Sequence, residues 1–389
     1  MKASKLVLLF CLISFFSYAR WEEITTNSSE NLTSIEFIGN TGFCAGENGE
    51  LLKSTNSGQT WNLITSGTID NITSILFLDV NTGYFSTSTG FVFKTTDGGV
   101  SWTNNKLQSI GAINGIDFLN NSIGLAVGDN GAIFRTSDGG TSWNSLGNVS
   151  VYVVNDVTFV NDTLAVTVGA QGSVLSSSDA GLTWDWKAIT SSNTFTSIEK
   201  LNDSTAAMVG SAGLYSEFSS ISMLASNEQT IDPDLTPDLL KDIHLSPSGN
   251  LYVVGFNQTV LITNPSWKTW DLDSVNNLNG IHFFNDTIGF ACGANGKIYK
   301  TISGGFPVGK NEVKLNKLNL YPNPASNIIN FVGLENEENK LFIYNQSGQL
   351  ITNTTIQQTQ YNIENFKTGL YFIHIIGVNH TYRGKFIKR

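Results

Sequence analysis

Cysteine is scarce in this sequence, which has three in 389 residues. Cys11 lies in an N-terminal apolar run, where the bulky Phe10 before it disfavours a lipoprotein signal. Only Cys44 and Cys292 remain in the mature chain, which is too few for a disulfide framework. The fold must therefore be held by a hydrophobic core.

Long apolar runs are also absent, apart from the one at the N terminus. The run from Leu6 to Phe16 follows Lys2 and Lys5 and precedes small residues at the cleavage positions, which predicts a signal peptide over residues 1–19. No later stretch reaches the roughly 18 consecutive apolar residues that a spanning helix needs. We therefore expect an exported chain that begins at Arg20 and has no transmembrane segment.

Positive charge is sparse in the larger part of the chain. Residues 20–305 contain 11 Lys and Arg against 27 Asp and Glu, whereas residues 317–389 contain seven basic and four acidic residues. The net charge changes from −16 to +3 between them, which predicts two domains. Because the acidic part repels phosphate groups, nucleic acid and anionic membranes are not expected as partners.

Tryptophan marks an internal repeat. Five tryptophans are 40, 41, 41 and 41 residues apart and a sixth follows after 86, or twice 43: Trp21, Trp61, Trp102, Trp143, Trp184 and Trp270. A short apolar segment recurs in step with them, from "TSIEF" at 33–37 to "NGIHF" at 279–283, and occurs seven times. The repeat therefore predicts seven structural units.

Each unit has the pattern of four short strands, as in "GLAVGDNGAIFRTSDGGTSW" at 124–143. Four strands in about 40 residues are typical of a β-propeller blade, and no segment has a sustained helical period. The seventh unit ends near Gly305 without a fourth strand, whereas "RWEEITT" at 20–26 precedes the first unit. We therefore predict an all-β chain with a seven-bladed β-propeller over 20–305, closed by its N-terminal strand.

An eight-residue motif, which we call the octet, occurs four times and ends at a tryptophan each time, as in "TSDGGTSW" at 136–143. Its carboxylate can accept backbone N–H bonds, its glycine can adopt a positive φ, its hydroxyl can bond across the turn, and its Trp can pack against the neighbouring blade. The octet is therefore predicted to be a structural turn rather than a catalytic site. The residues of the four copies are Asn56, Gly58 and Trp61; Asp97, Gly99 and Trp102; Asp138, Gly140 and Trp143; and Asp179, Gly181 and Trp184.

The octet resembles the Asp-box, or bacterial neuraminidase (BNR) repeat, and residues 20–305 as a whole resemble the photosystem II assembly-factor-like propellers. Sialidases also carry Asp-boxes, but that family grips its substrate with three arginines, and residues 20–305 contain only Arg20 and Arg135. The sequence therefore argues against a sialidase. The photosynthetic members of the propeller family present an arginine-rich patch, which this chain also lacks.

A different pattern begins after residues 306–316, which we predict to be a linker. "LNLYPNPASNIINFVG" at 318–333 and "KTGLYFIHI" at 367–375 predict short strands and a small immunoglobulin-like β-sandwich over 317–389. These motifs resemble the C-terminal sorting domain of the type IX secretion system of Bacteroidetes-type bacteria. The resemblance implies that the translocon recognises residues 317–389, that a sortase-like peptidase removes them, and that the protein is released or attached at the cell surface.

One repeat position carries unusual side chains. The residue after the central apolar position of the first strand is acidic or histidine in five units: Glu36, Asp117, Glu199, His244 and His282. Because blades six, seven and one are neighbours in a ring, His244, His282 and Glu36 could converge on a divalent metal in the central channel. The sequence favours the alternative, a solvated channel lining, so neither a metal nor a cofactor is expected.

Two further features have alternative interpretations. Cys44 and Cys292 fall in adjacent blades and could form a disulfide, although Ala or Val at the aligned positions favours two buried small residues. Residues 226–242 suggest an acidic insertion in blade five, whose aspartates could hold calcium. Their spacing lacks the EF-hand pattern, so a solvated loop is favoured for Asp232, Asp234, Asp238 and Asp242.

We expect a secreted or cell-surface binding or scaffold protein with an unknown protein or glycan ligand. The ligand would dock on the face opposite the octets, which includes the turns at Glu47-Asn48, Asp129-Asn130, Ala170-Gln171 and Asn257-Gln258. The alternative is a polysaccharide-acting glycoside hydrolase, since Asp-box propellers occur in xyloglucan hydrolases, with Asp117 and Glu199 as the carboxyl pair. Those hydrolases place their carboxylates between two propellers, and this chain has length for one.

Overall fold

The computed structural model describes most of the chain. It describes residues 21–108, 111–187, 192–220, 224–230, 239–256, 260–263, 267–270, 277–285, 287–304, 315–332, 334, 339–345, 350–356, 359–376 and 381–389. The predicted signal peptide and most of the predicted linker lie outside these ranges. The described residues divide into two compact units, one within Ala19–Phe306 and one within Pro307–Arg389.

The first unit is a seven-bladed β-propeller, made of seven four-stranded antiparallel sheets. The strands in chain order are β1 (Glu22–Ile24), then β2 (Leu32–Ile38), β3 (Thr41–Gly46), β4 (Leu51–Ser54) and β5 (Asn62–Leu63) in blade one; β6 (Ile72–Phe77), β7 (Gly83–Thr87), β8 (Phe91–Thr95) and β9 (Thr103–Lys106) in blade two; β10 (Ile113–Phe118), β11 (Gly124–Gly128), β12 (Ala132–Thr136) and β13 (Asn144–Asn148) in blade three; and β14 (Val154–Phe159), β15 (Ala165–Gly169), β16 (Val174–Ser177) and β17 (Asp185–Lys187) in blade four. Blade five has β18 (Phe195–Asn202), β19 (Thr205–Gly210), β20 (Leu214–Ser219) and β21 (Leu224–Thr230); blade six has β22 (Leu240–Leu245), β23 (Leu251–Gly255), β24 (Val260–Thr263) and β25 (Trp267–Trp270); and blade seven has β26 (Leu278–Phe283), β27 (Gly289–Gly293) and β28 (Ile298–Thr301).

The ring is closed. Each first strand contacts the first strand of the next blade, and β26 of blade seven contacts β2 of blade one. β1 supplies the fourth strand of blade seven by pairing with β28, with Glu22 opposite Lys300 and Ile24 opposite Ile298. This is the pairing that the sequence predicts. It leaves no gap between the first and the last blade.

The core lies between neighbouring blades. The second strands are buried, except for Thr41 and Thr205 at the start of β3 and β19, because they lie in the middle of each sheet and are covered on both faces. Phe43 of blade one stacks on Phe77 of blade two with 3.7 Å between ring centroids, and Tyr84 of blade two stacks on Phe118 of blade three at 4.1 Å. Packing of aromatic rings between neighbouring blades therefore stabilises the ring without disulfide bonds between the described residues.

Blade five corrects one prediction. Part of the supposed insertion at 226–242 is the fourth strand of this blade, since β21 pairs with β20. Its other end lies in β22, where Asp242 pairs with Val254. Blade five has no octet, so the pattern that precedes the fourth strands of blades one to four was missing. Asp232, Asp234 and Asp238 lie outside the described residues.

The second unit is a β-sandwich. Its strands are β29 (Leu315–Lys317), β30 (Asn319–Tyr321), β31 (Ile328–Val332), β32 (Asn339–Asn345), β33 (Leu350–Ile356), β34 (Gln360–Asn362), β35 (Gly369–Ile376) and β36 (Thr381–Lys388). One sheet has the order β29-β36-β35-β32-β33 and the other β30-β31-β34. Residues of both sheets, including Ile329, Leu341 and Phe386, share one buried apolar cluster. Among the described residues, no helix is long and apolar enough to cross a membrane.

Candidate functional site in the central channel

The octets form turns that lie against the hairpin between the first and second strands of the same blade. In the third copy, Asp138 accepts the backbone N–H of Ser142 at 2.9 Å and its hydroxyl at 2.6 Å, and Gly140 has a φ of 77°. The hydrogen bonds from Ser142 lower the pKa of Asp138 to about 2. The Gly139 N–H donates to the Ser122 carbonyl at 2.9 Å. All these contacts are internal to the fold, as expected of a structural turn.

The other octets repeat this geometry. Asp97 accepts the N–H and hydroxyl of Ser101, and Asp179 those of Thr183. In the first copy, Asn56 accepts the Thr60 N–H at 3.0 Å. Every octet tryptophan packs into an apolar cluster that combines two neighbouring blades.

Each octet also accepts a hydrogen bond from a Lys or Arg on the third strand of the preceding blade. The sequence did not predict this contact. The side-chain nitrogen donates to the carbonyl of the residue after the octet's Asp or Asn. The pairs are Lys53 and Gly98 at 2.7 Å, Lys94 and Gly139 at 2.6 Å, Arg135 and Ala180 at 2.9 Å, and Lys300 and Ser57 at 3.3 Å. Ser176 and Glu217 take this position in blades four and five, which precede blades without an octet. Arg135, one of the two arginines in residues 20–305, therefore uses its side chain for a structural hydrogen bond between blades.

The predicted channel residues lie on the inner strands, where several bond to the next blade. Asp117 accepts the N–H of Phe159 at 2.7 Å, and Glu199 accepts that of Leu245 at 3.1 Å. Two further carboxyl groups, which the sequence analysis did not select for the channel, do the same. Asp156 accepts the N–H of Ile198 at 2.9 Å, and Asp242 accepts that of Ile281 at 2.9 Å. These four bonds link blades three, four, five, six and seven in succession.

The signal for the two missed carboxyl groups was present two positions earlier in the repeat, on the same face of the strand. That position is Ser34, Ser74, Gly115, Asp156, Ser197, Asp242 and Gly280 from blade one to blade seven. Ser197 bonds the carboxylates on both sides, with its hydroxyl 3.1 Å from Asp156 and 3.1 Å from Asp242.

The two histidines lie side by side with their carboxylate neighbours. The rings of His244 and His282 are 4.6 Å apart between centroids. The Nδ1 atom of His244 is 3.8 Å from Glu199 Oε1, and that of His282 is 3.8 Å from Glu36 Oε2. Both distances are too long for a hydrogen bond. The structure therefore brings together four of the five predicted channel residues in one row across blades five, six, seven and one.

The environment of this row suppresses charge. Burial, together with Glu199, Asp242 and Asp117 nearby, raises the pKa of Glu36 to about 8. Burial raises the pKa of Glu199 to about 8 against the opposing bond from Leu245. Burial also lowers the pKa of His244 to about 4, and burial and His244 lower that of His282. At neutral pH both glutamates and both histidines are therefore mainly uncharged.

The remaining channel carboxyl groups are aspartates that accept backbone N–H groups, and these bonds oppose the effect of burial. Burial raises the pKa of Asp156 to about 7, and those of Asp117 and Asp242 to about 6 each, against these bonds.

The metal alternative is not supported. Among the described residues, no group of three or more His, Cys, Asp or Glu side chains is arranged to hold a metal ion. Each imidazole instead faces a different carboxyl group, and the two rings pack on each other. The aspartates of residues 231–238 lie outside the described residues.

Cys44 and Cys292 are free thiols rather than a disulfide. Both are fully buried in one apolar cluster between blades one and seven, and burial raises the pKa of the Cys44 thiol. Five of the six other blades have Ala or Val at the position of Cys292, and the position of Cys44 is buried in every blade, so packing accounts for both.

The two mouths of the channel differ. The octet face carries an open cavity lined by Asp117, Thr158, Asn161, Lys200 and Asp203, among others. The opposite face, which we call the turn face, is made of the turns between second and third strands and the loops that precede first strands. Its cavity has a volume of about 760 Å³ and is lined mainly by Asn, Thr and Ser side chains from all seven blades. Of the predicted turns, Asn257-Gln258 lies outside the described residues.

Comparison with known proteins agrees with this architecture. Residues 319–389 match the family model described as "Secretion system C-terminal sorting domain", and residues 17–117 match "Photosynthesis system II assembly factor YCF48". The chain joins an assembly-factor-like propeller to a sorting domain. The sorting domain indicates export by a type IX secretion system to the cell surface or the extracellular space. No curated protein matches the chain.

Solved structures share the propeller fold. YCF48 bound to a D1 peptide is 21% identical, with a TM-score of 0.60 over 73% of this chain and 95% of that chain. YCF48 from Cyanidioschyzon merolae is 18% identical, with a TM-score of 0.61 over 72% of this chain and 98% of that chain. PorZ, described as an essential surface component of the type-IX secretion system of Porphyromonas gingivalis, is 12% identical, with a TM-score of 0.56 over 92% of this chain and 59% of that chain.

Proposed function

We propose that the protein is a non-catalytic binding module that acts at the cell surface or outside the cell. The observation that carries this proposal is the turn-face cavity, which is open and central and is lined mainly by Asn, Thr and Ser side chains from all seven blades. A concave site of this size can enclose a small ligand or the end of a larger one. The fold relative that is described as bound to a D1 peptide supports a binding role for such a propeller.

A hydrolase is the second candidate function, and the geometry of the channel carboxyl groups does not favour it. A glycosidase needs one carboxyl group that accepts a proton and one that donates it across a reacting bond. Both oxygens of Asp117 accept backbone N–H groups, from Phe118 and Phe159 at 2.7 Å each. Glu199 is held by Leu245 N–H. These bonds give both residues a structural role between blades.

The second unit would serve delivery. By its family match, we infer that residues 317–389 engage the translocon and the sortase, and that cleavage occurs within residues 306–316. The propeller would then remain as the mature protein, either released or attached to the surface.

The binding role is tested by filling the turn-face cavity. Ala294 lines this cavity, and Ala294→Trp places a large ring in it. Asp203 lines the cavity on the octet face, so Asp203→Trp is the matched control. Retention of labelled outer-surface material from the producing bacterium on the immobilised full chain would be measured. We expect retention by the wild type and by Asp203→Trp, and loss in Ala294→Trp. Equal retention by all three proteins would refute binding at the turn face.

A further inference from the structure

One position of the repeat forms a ring around the mouth of the channel on the turn face. It is the second residue of each first strand: Thr33, Thr73, Asn114, Asn155, Thr196, Lys241 and Asn279. Six of these side chains donate a hydrogen bond to the backbone carbonyl of the first residue of the next blade's first strand, at 2.5 to 3.0 Å. Lys241 is the seventh member, and it lines the cavity with a cation in place of an amide or a hydroxyl.

Lys241 forms no direct ion pair with a described residue, and the charge that acts on it is that of the adjacent Asp242. Its side chain is partly buried, and its Nζ atom lies 5.7 Å from the centroid of the Phe256 ring, which also lines the cavity. Asp242, the next residue, uses its oxygens for the N–H groups of Ile243 and Ile281. Glu47, the carboxylate of the cavity lining, accepts the Asn31 amide at 3.0 Å. The cavity therefore offers one cation to an incoming anion.

The rest of the lining favours a ligand with many hydrogen-bond donors. Asn114, Asn155 and Asn279 donate through Nδ2, so their Oδ1 atoms are left to accept. The threonines of the ring donate their single hydroxyl proton to a carbonyl, so their oxygens can only accept further bonds. A wall of acceptors matches a polyhydroxylated ligand better than a peptide, because each sugar hydroxyl can donate a bond whereas a peptide backbone presents as many carbonyl acceptors as N–H donors.

We propose that the turn-face cavity binds an acidic saccharide, with Lys241 holding a uronate carboxylate and the ring of amide and hydroxyl oxygens accepting bonds from the sugar hydroxyl groups. This proposal rests on the binding function above and names its ligand class. A volume of about 760 Å³ is sufficient for a short oligosaccharide. The Phe256 ring beside the cation provides an apolar surface for a sugar face.

Calorimetry on the full chain with three probes tests this proposal: trigalacturonate, the neutral galactotriose, and trialanine with a free carboxyl terminus. We expect trigalacturonate to bind and both other probes to fail. Lys241→Met should weaken trigalacturonate binding at least about 10-fold, because a charge-assisted bond is lost. Lys241→Arg keeps the positive charge and should therefore retain trigalacturonate binding. Lys200→Met, at the opposite mouth of the channel, is the matched control and should leave binding unchanged.

Three results would overturn the proposal. One is that Lys241→Met still binds trigalacturonate, and another is that galactotriose binds as tightly as trigalacturonate. The third is that only trialanine binds and that its binding depends on Lys241, which would assign the carboxylate to a peptide. The thermal stability of each variant shows whether it is folded. If trigalacturonate fails to bind while Ala294→Trp still abolishes retention of surface material, the saccharide assignment is wrong and the binding function stands.

Discussion

Replacing Glu36 by Gln should change how the stability of the propeller depends on pH. Burial and the nearby carboxyl groups raise the pKa of Glu36 from 4.5 to about 8 in the folded state. Between these two values the folded chain keeps a proton that the unfolded chain has lost, so stability falls as pH rises through this window. Glutamine has the same shape and no proton to lose, and the variant should escape this fall.

The size of the effect follows from the shift. One proton is worth about 1.4 kcal/mol per pH unit, so from about pH 5 to pH 8 the variant should gain up to about 4 kcal/mol relative to the wild type. Removing Glu36 also removes a negative neighbour of Glu199 and Asp242, which acts in the same direction. His244, whose lowered pKa of about 4 gives the opposite slope below pH 6.5, is present in both proteins.

Urea unfolding of the wild type and of Glu36→Gln at about pH 5, 6, 7 and 8 measures this difference. Glu22→Gln is the control, because Glu22 is exposed on β1. We expect the free-energy difference between Glu36→Gln and the wild type to grow with pH, and that for Glu22→Gln to stay flat. Parallel pH profiles for all three proteins would refute the account of the channel as a site of uncharged glutamates.

Two further predictions concern the octets and the ring closure. Gly140→Ala should lower the free energy of unfolding in urea by about 2 kcal/mol more than Gly147→Ala does. Both glycines have a positive φ, but only a Cβ on Gly140 would lie 2.8 Å from the Tyr84 ring. Equal losses of stability in the two variants would contradict this. Trp21→Ala should cost about 3–5 kcal/mol, since Trp21 is 7% exposed and packs edge-on against Phe283 of blade seven. Trp186→Ala, at 47% exposure, should cost less than about 1 kcal/mol, and a similarly small loss for Trp21 would mean that the N-terminal segment does not close the ring.

The blade count and the closure of the ring were predictable from the sequence because the repeat is nearly constant in length. Trp spacing and the recurring apolar segment predicted the number of blades, and the repeat pattern, which stops near Gly305 before its fourth strand, identified the partner of the N-terminal strand. The bonds that the Asp, Asn and hydroxyl groups form within each octet were also predictable, since these bonds are local. Blade five was misinterpreted because it has no octet, and β21 was therefore assigned to an insertion.

The roles of the channel residues were not predictable in the same way. The bond between Asp117 and the Phe159 N–H joins residues 42 positions apart, and only the distance between two blades decides whether it forms. The pattern of Lys53, Lys94, Arg135 and Lys300 was visible in the sequence, but its meaning depends on the octet of the following blade. The sequence also did not indicate the charge of these side chains, because burial neutralises Glu36, which it suggested as a metal ligand, and Glu199, which it suggested as a catalytic carboxyl group.

The most direct test of binding without catalysis combines two readouts in one reaction. The full chain, Asp117→Asn and Glu199→Gln would each be incubated with surface polysaccharide from the producing bacterium, and the bound material and the new reducing ends would both be quantified. We expect the three proteins to bind alike and to release no reducing ends. Reducing ends released by the wild type, and lost in either variant, would contradict the structural role of the channel carboxyl groups and establish a hydrolase.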